Sequence, residues 1–329
     1  MIIRKTLFTK SQEEKATREG FGEGLVLAGE KDERVVALCA DLTESVKMDA
    51  FRAKFHDRFF EVGITEQAMS GLASGMARMG YIPFMASYAM FSPGRNWEQI
   101  RTTIAYNNQP VKIVGAHAGI SVGPDGATHQ AIEDVAIMRT IPTMQIFVPC
   151  DAIEARVITE YIATTSHPSY LRLTREKTPL LLPDNYVWNH GKGYVMYMSQ
   201  HKHGGEFTHK IAIIGCGPII YEAIQAAFLL EKEGIGVTVI NMPQIKPLDV
   251  GYLLRIAHDV RAIVTVEEHQ VTGGLGSAVA EYLSEHYPIR IGRVGVEDRF
   301  GQSGKVEELY EEYGLSAKYI AKKARETLH

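Results

Sequence analysis

The chain has 329 residues, 45% of them hydrophobic, which exceeds the usual size of one domain and predicts two domains that each bury a core. A formal net charge of -4 with both signs interspersed argues against a basic nucleic-acid surface and against a membrane-binding face. The three cysteines lack CxxC spacing and no apolar run is long, which argues against a disulfide framework, a zinc site and a membrane span, and favours a reducing cytoplasm.

Short apolar runs alternate with helical patterns along the first half of the chain, which is typical of an α/β domain with a mostly parallel sheet. Strands are predicted at 34–39, 58–62, 82–86, 111–116, 144–147 and 169–173. One helix is predicted to begin near Ser11, because Ser11 and Glu14 have capping-box spacing. Another is predicted from Thr65 to Gly80, with apolar residues at helical spacing. This half reads as one doubly wound domain.

Periodicity lapses in a proline-containing stretch at 174–189, so we place a domain boundary there, with domains at 1–185 and 186–329. The second part repeats the α/β alternation on a smaller scale. Its predicted strands are 193–198, 210–214, 237–241, 262–266 and 290–294, and its predicted helices are 221–233 and 275–286. A cluster of histidines, His201, His203 and His209, is interpreted as a solvated hairpin and not as a metal site.

Polar residues follow the predicted strands of the first domain. They are the runs at 41–45 and 63–67, Tyr88 with Phe91, and the run at 117–130. Because the carboxyl ends of parallel strands meet at one edge of a sheet, these loops are expected to converge on a functional site.

Three of these runs, CADLTES at 39–45, EVGITEQAM at 61–69 and GPDGATHQ at 123–130, together resemble the pyrimidine-binding domain of transketolases. VTVEEH at 264–269 and GGLGSAV at 273–279 resemble the C-terminal domain of the same family. The resemblance covers nearly the whole chain. It implies two doubly wound α/β domains with mostly parallel sheets, the first binding the pyrimidine of thiamine diphosphate.

The family holds Mg²⁺ and the cofactor diphosphate with a GDG motif followed by an asparagine, and this motif is missing here. Asn107 and Asn108 precede Asp125-Gly126, so the order is also wrong. The resemblance is therefore to the C-terminal section of a split transketolase. It implies a separate subunit that carries the GDG motif and holds most of the Mg²⁺ site, and it suggests a heterotetramer of two subunits of each kind.

The resemblance also assigns cofactor-binding residues. Glu66 matches the acid that shares a proton with a pyrimidine ring nitrogen, although a first-turn glutamate also simply complements a helix dipole. Tyr88 and Phe91 match aromatic residues that pack on the pyrimidine, and a third aromatic position of the family falls at Gly94, where Trp97 is a candidate to close the cradle. Asp41 is expected to face the thiazolium.

On the substrate side, His117, Asp125 and His129 match residues that hold the donor sugar, with the two histidines moving protons. Arg18, Ser45, His117 and Arg175 fall where transketolases bind the sugar phosphate, and the arginine fork suits phosphate oxygens. Without the resemblance, Arg18 reads as part of a solvated helix face and Arg175 as a linker charge.

The expected reaction is therefore transfer of a two-carbon ketol unit from a ketose phosphate to an aldose phosphate, as in the pentose phosphate pathway. One alternative is a subunit of a 1-deoxyxylulose-5-phosphate synthase or a 2-oxoacid dehydrogenase β chain, which decarboxylates a 2-oxoacid. Ala118-Gly119 after His117 resembles the synthases, whereas Asp41-Leu42-Thr43 and Arg18 favour transketolase. A second alternative is a non-catalytic interaction protein that kept the fold.

Overall fold

The computed structural model describes residues 3–200, 207 and 209–329. His201 and His203 lie outside these residues, and His209 begins a strand. The strands of the first part are β1 (Glu14–Lys15), β2 (Val35–Cys39), β3 (Phe59–Glu61), β4 (Ile82–Tyr88), β5 (Lys112–Ala116), β6 (Gln145–Phe147), β7 (Ser169–Arg172) and β8 (Thr178–Pro179). Its helices are α1 (Thr17–Lys31), α2 (Asp49–Lys54), α3 (Glu66–Arg78), α4 (Trp97–Gln99), α5 (Asp134–Arg139) and α6 (Ala152–Ile162), with 3₁₀ segments at His56–Arg58 and Ile120–Asp125 and a π-helical turn at Ile100–Ala105.

The second part contributes strands β9 (Tyr194–Met198), β10 (His209–Gly215), β11 (Ile235–Asn241), β12 (Gln244–Lys246), β13 (Ala262–Gln270) and β14 (Arg290–Val296). Its helices are α7 (Ile220–Lys232), α8 (Val250–Asp259), α9 (Leu275–His286), α10 (Val306–Glu312) and α11 (Ala317–Leu328). No helix in the described part of the chain is both long and apolar enough to cross a membrane.

Two large sheets organise the molecule. The first has the strand order β12-β6-β7-β5-β4-β2-β3, and the second has the order β14-β13-β10-β11-β9. All neighbouring strands are parallel except β12 on β6 and β9 on β11. Strands β2 and β5 are buried along their whole length, as expected for parallel strands covered on both faces. The predicted α/β class with mostly parallel sheets is confirmed.

The predicted helix start at Ser11 is wrong. Glu14 and Lys15 instead pair with Pro179 and Thr178 as an antiparallel two-stranded sheet, and α1 begins at Thr17. The carboxylate of Glu19 accepts a hydrogen bond from the Ala16 N–H at 2.8 Å. The helix is therefore capped here and not at the predicted capping box of Ser11 and Glu14. A pairing between positions so far apart along the chain has no local sequence signal.

Helix α1 packs closely on α6, and two glycines make this approach possible. A Cβ at Gly20 would lie 1.9 Å from the Ala152 carbonyl oxygen, and one at Gly24 would lie 2.6 Å from that of Arg156. The close contact fixes the position of Arg18 in the first turns of α1. Because Asp151 caps α6 and also accepts hydrogen bonds from the Leu181 and Leu182 N–H groups, the predicted linker is held against the first domain.

A buried carboxylate joins the two parts of the molecule. Glu154 on α6 is fully buried and accepts hydrogen bonds from the Tyr194 hydroxyl at 2.7 Å and from the Asn241 amide at 2.9 and 3.1 Å. The Cys150 N–H donates to the same carboxylate at 2.7 Å. Tyr194 and Asn241 belong to the second sheet, so this network fixes the two sheets relative to each other.

We expect Glu154→Ala to lower the free energy of unfolding by about 3 kcal/mol, because it leaves several buried donors without acceptors. The control is Glu160→Ala on the same helix, which removes a surface ion pair with Lys31 and should cost less than about 1 kcal/mol. Urea denaturation of both variants measures the difference. Equal losses would contradict the structural role given to Glu154.

Candidate active site

The predicted site residues gather at the carboxyl edge of the first sheet. Asp41 follows β2, Glu66 opens α3 after β3, Tyr88 ends β4, and His117 follows β5. Arg18 comes from α1 and Arg175 follows β7. The convergence arises because neighbouring parallel strands end at the same edge.

Four rings form the centre of the site. The Tyr88 and His117 rings stack with centroids 3.8 Å apart, and Phe91 stacks on Tyr88 at 5.9 Å. His129 meets both aromatic rings edge-on, at 6.2 Å from Tyr88 and 5.6 Å from Phe91. These rings connect a carboxylate end of the site, around Glu66, to an arginine end, around Arg18 and Arg175.

At the carboxylate end, the Glu66 side chain is only 4% exposed. Arg95 Nη1 donates to both of its oxygens, at 3.2 and 3.3 Å. The buried Asn96 amide donates to the Glu66 carbonyl at 3.1 Å and to the hydroxyls of Ser70 and Ser92. Asn96 therefore fixes the first turn of α3 against the segment that follows Phe91.

Gly94 cannot carry the third aromatic side chain of the family pattern. A Cβ there would lie 2.0 Å from the Met90 carbonyl oxygen. Trp97 does not replace it, because its indole N–H donates to the Ile137 carbonyl at 2.9 Å and its ring packs against the core. The guanidinium of Arg95 lies over the Phe91 ring instead, with its central carbon 4.1 Å from the ring centroid.

At the arginine end, Arg18 holds several parts of the site together. Its Nε–H donates to the Arg175 carbonyl at 3.0 Å, and Nη1 donates to the Ser45 carbonyl at 2.7 Å. Nη1 also lies 3.4 Å from Nε2 of His117. Arg18 is thus a half-buried site residue and not part of a solvated helix face, and Ser45 contributes its carbonyl to the cluster.

His117 is buried and has a left-handed backbone with φ of 53°. Burial, and then the positive charge of Arg18, lower its pKa to about 3. The imidazole is therefore neutral at ordinary pH. Because an Arg18 N–H faces Nε2, the proton is placed on Nδ1, and that buried nitrogen has no hydrogen-bond partner among the described residues. Nδ1–H is thus a buried donor that still needs an acceptor.

Arg175 stabilises the loop that follows His117. Its Nη1 donates to the Val122 carbonyl at 2.9 Å and to the Asp125 carboxylate at 3.3 Å. The second domain holds the same loop from the other side. The Glu268 carboxylate accepts a hydrogen bond from the Ser121 N–H, and the Gln130 amide donates to the Gln302 carbonyl at 3.0 Å.

Asp41 lies at the exposed rim of the site with a left-handed backbone, φ 59°. Its N–H donates to Glu61 at 2.7 Å. Glu61 also accepts from the Thr43 hydroxyl at 2.8 Å and the Gly63 N–H at 3.2 Å, so it fixes the loops after two strands. Glu61, Arg95 and Glu268 were not predicted as site residues. Glu61 and Glu268 stand inside runs that resemble the transketolase domains, whereas Arg95 stands only four residues after Phe91.

Among the described residues, no group of three or more His, Cys, Asp or Glu side chains is arranged to hold a metal ion. The site instead offers a buried carboxylate, stacked rings, a neutral imidazole and two arginines. Such a set suits binding of a flat, hydrogen-bonding ring at one end and of an anion at the other.

Comparison with known proteins gives matches over most of the chain. Residues 13–179 match the family model described as the transketolase pyrimidine-binding domain, and residues 205–320 match that of the transketolase C-terminal domain. A transketolase C-terminal section of Methanocaldococcus jannaschii is 39% identical over 95% of this chain and 96% of its own. A 6-deoxy-6-sulfo-D-fructose transketolase subunit of a Clostridium species is 37% identical over 97% of this chain and 96% of its own.

Solved structures agree with these matches. A split-gene transketolase, described as an inactive β4 tetramer, is 40% identical, with a TM-score of 0.84 over 95% of this chain and 98% of that chain. The transketolase of Campylobacter jejuni is 25% identical, with a TM-score of 0.78 over 94% of this chain but only 46% of that chain.

Proposed function

The chain belongs to the transketolase family, and we propose that it is one subunit of a two-subunit, thiamine-diphosphate-dependent transketolase. The observation that carries the proposal is the buried Glu66 carboxylate, which Arg95 links to the Phe91 ring that stacks on Tyr88. We propose domains at 1–185 and 186–329, the first binding the pyrimidine and the second contributing Glu268 to the site loop.

The residues present fit the aminopyrimidine end of the cofactor. Phe91 and Tyr88 offer flat faces, and Glu66 offers a carboxylate shielded from water. When bound, thiamine diphosphate supplies the carbon nucleophile for ketol transfer. Glu66 would hold a proton at the pyrimidine ring nitrogen, Phe91 and Tyr88 would orient the ring, and Asp41 would lie towards the thiazolium.

The remaining residues are proposed to act on the sugar. His117 would donate Nδ1–H to a donor hydroxyl, and Asp125 and His129 would bind hydroxyls beside it, with His129 moving a proton. Arg18, Arg175 and Ser45 would form the phosphate end. The proposed donor is a ketose phosphate and the proposed acceptor an aldose phosphate, because two arginines next to a sugar site suit a phosphate group.

A partner subunit is proposed for two reasons. The chain carries no GDG motif with a downstream asparagine, so the Mg²⁺ and diphosphate anchor would come from another chain. Apolar residues also lie exposed on and beside helix α3, which Glu66 opens: Ile64 is 69%, Leu72 48% and Met79 79% exposed. A partner that covers this face would close the site over Glu66. We propose a heterotetramer with two copies of each subunit.

The proposal is tested by mixing the purified chain with a subunit that carries the GDG motif, thiamine diphosphate and Mg²⁺. We expect transfer of a two-carbon unit from a ketose phosphate donor to an aldose phosphate acceptor. Chromatography of the products measures this transfer. A preference for pyruvate with release of CO₂ would identify a decarboxylating synthase instead. Absence of turnover with both donors would favour a non-catalytic protein.

Replacing Arg18 or Arg175 with Ala should weaken phosphorylated acceptors selectively. Loss of a charge-assisted hydrogen bond, worth about 1.5 to 3 kcal/mol, corresponds to a loss of about 10 to 150-fold in kcat/KM. Hydroxypyruvate serves as donor while the acceptor is varied between a phosphorylated and an unphosphorylated aldose.

The comparison between acceptors is internal to each variant. Both arginines also bind loop carbonyls, so a general loss of activity is expected for either acceptor. Only the additional loss for the phosphorylated acceptor reports phosphate binding. Equal losses for the two acceptors would refute the phosphate site.

A further inference from the structure

Arg95 occupies the two surfaces that the proposed function gives to the cofactor's pyrimidine. Its Nη1 contacts both oxygens of Glu66, at 3.2 and 3.3 Å. The same guanidinium lies on the Phe91 ring, 4.1 Å from the centroid. No other side chain among the described residues donates a hydrogen bond to the Glu66 carboxylate.

A guanidinium is flat, cationic and rich in N–H groups. It therefore satisfies the same combination of an aromatic face and a carboxylate that a protonated aminopyrimidine ring requires. We propose that Arg95 is an internal competitor of the cofactor: it fills the pyrimidine position of the chain shown here and is displaced when thiamine diphosphate binds. The inference rests on the proposed function, since it needs Glu66 and Phe91 to be the pyrimidine site.

The geometry allows the side chain of Arg95 to leave while its backbone stays. The side chain is 50% exposed, in contrast to the buried Glu66. It borders two clefts, one of about 560 Å³ at Glu66 and one of about 470 Å³ at Phe91 and Gly94. The backbone beside it is held by Asn96, whose buried amide binds Glu66, Ser70 and Ser92.

The arrangement also gives Arg95 a role before the cofactor arrives. A buried carboxylate without a partner is costly, and the ion pair with Arg95 avoids that cost in the free subunit. Removing Arg95 should therefore have two opposite effects. It should make the chain less stable by leaving Glu66 unpaired, and it should make the pyrimidine position easier to fill. If Arg95 merely bound the cofactor, its removal would weaken the binding of thiamine diphosphate instead.

The test compares Arg95→Met with Arg101→Met, which replaces an exposed arginine of the following turn. In the complex with the partner subunit and Mg²⁺, Arg95→Met is expected to lower the calorimetric Kd of thiamine diphosphate by about 3 to 10-fold. The reason is that the apparent Kd equals the intrinsic Kd divided by the fraction of molecules in which Arg95 has left the pyrimidine position. Magnesium pyrophosphate, which lacks the pyrimidine, should bind equally to the wild type and both variants.

Arg95→Lys is a second variant, which keeps the charge but loses the flat group. Its Kd for thiamine diphosphate should lie between those of the wild type and Arg95→Met. In the isolated chain, Arg95→Met should also lower the urea midpoint, whereas Arg101→Met should not. An unchanged or weaker affinity for thiamine diphosphate in Arg95→Met would overturn the inference and leave the proposed function intact. If the wild-type complex binds no thiamine diphosphate, the proposed function fails and the inference fails with it.

Discussion

Glu66→Ala in the assembled enzyme is expected to lower kcat by about 10² to 10⁴-fold, the range commonly contributed by a group that transfers a proton. The reason is that the carboxylate would no longer hold a proton at the pyrimidine ring nitrogen. The most specific measurement is the rate of hydrogen-deuterium exchange at the thiazolium C2, which should fall in parallel with kcat.

The control for Glu66→Ala is a measurement of its free energy of unfolding, which shows whether the variant still folds. Arg95, its partner, is half-exposed, so the freed guanidinium can be hydrated, and the free energy of unfolding should change by less than about 1 kcal/mol. Glu66→Gln, which keeps the shape but not the acid, should be nearly as inactive. If exchange at C2 in Glu66→Ala stayed as fast as in the wild type, Glu66 would be only a residue of the first helical turn.

His117→Ala is expected to lower kcat/KM by about 10²-fold or more, because it removes the buried N–H that we assign to the donor sugar. The tautomer makes a sharper prediction. An asparagine amide reaches the position of Nδ1 and a glutamine amide that of Nε2. We therefore expect His117→Asn to retain more activity than His117→Gln. The reverse order would contradict the assignment of the proton to Nδ1.

The pKa of His117 also predicts a pH dependence. Its folded value of about 3 lies below the usual value of 6.5, so the unfolded chain binds an extra proton between these pH values. The contribution of His117 to stability is thus complete above pH 6.5 and is lost as the pH falls towards 3. His117→Asn should reduce this loss, as measured by urea denaturation at pH 5 and pH 7. Because the imidazole of folded His117 stays neutral between pH 7 and pH 5, any loss of activity in this range has another cause and should persist in His117→Asn.

Much of the fold was predictable because the buried strands are short, apolar and bounded by turns. The predicted strand at 34–39 matches Val35–Cys39, and the predicted helix at 275–286 matches Leu275–His286. The strand Gln244–Lys246 was missed, since it has three residues and pairs with a strand of the other domain. Pairing across domains leaves no mark on local periodicity. Helices α2, α4, α5, α6, α8, α10 and α11 were also not assigned.

The same distinction applies to the site. Glu66, Tyr88 and His117 were expected to lie together because each follows a parallel strand, whereas their roles were implied only by the resemblance to transketolases. Arg95 could not, because its role depends on the distance between its guanidinium and Glu66, which is a property of folded geometry. The missing aromatic residue at Gly94 was visible in the sequence, but only the structure gives the reason, a backbone carbonyl where a side chain would stand.

Calorimetric titration of the isolated chain with thiamine diphosphate and Mg²⁺, repeated in the presence of the GDG-bearing subunit, tests the split-enzyme proposal most directly. The proposal predicts no tight binding and no ketol transfer by the chain alone, because the diphosphate anchor is absent from its sequence. It predicts tight binding together with ketol transfer by the mixture. Tight binding with turnover by the isolated chain would contradict it.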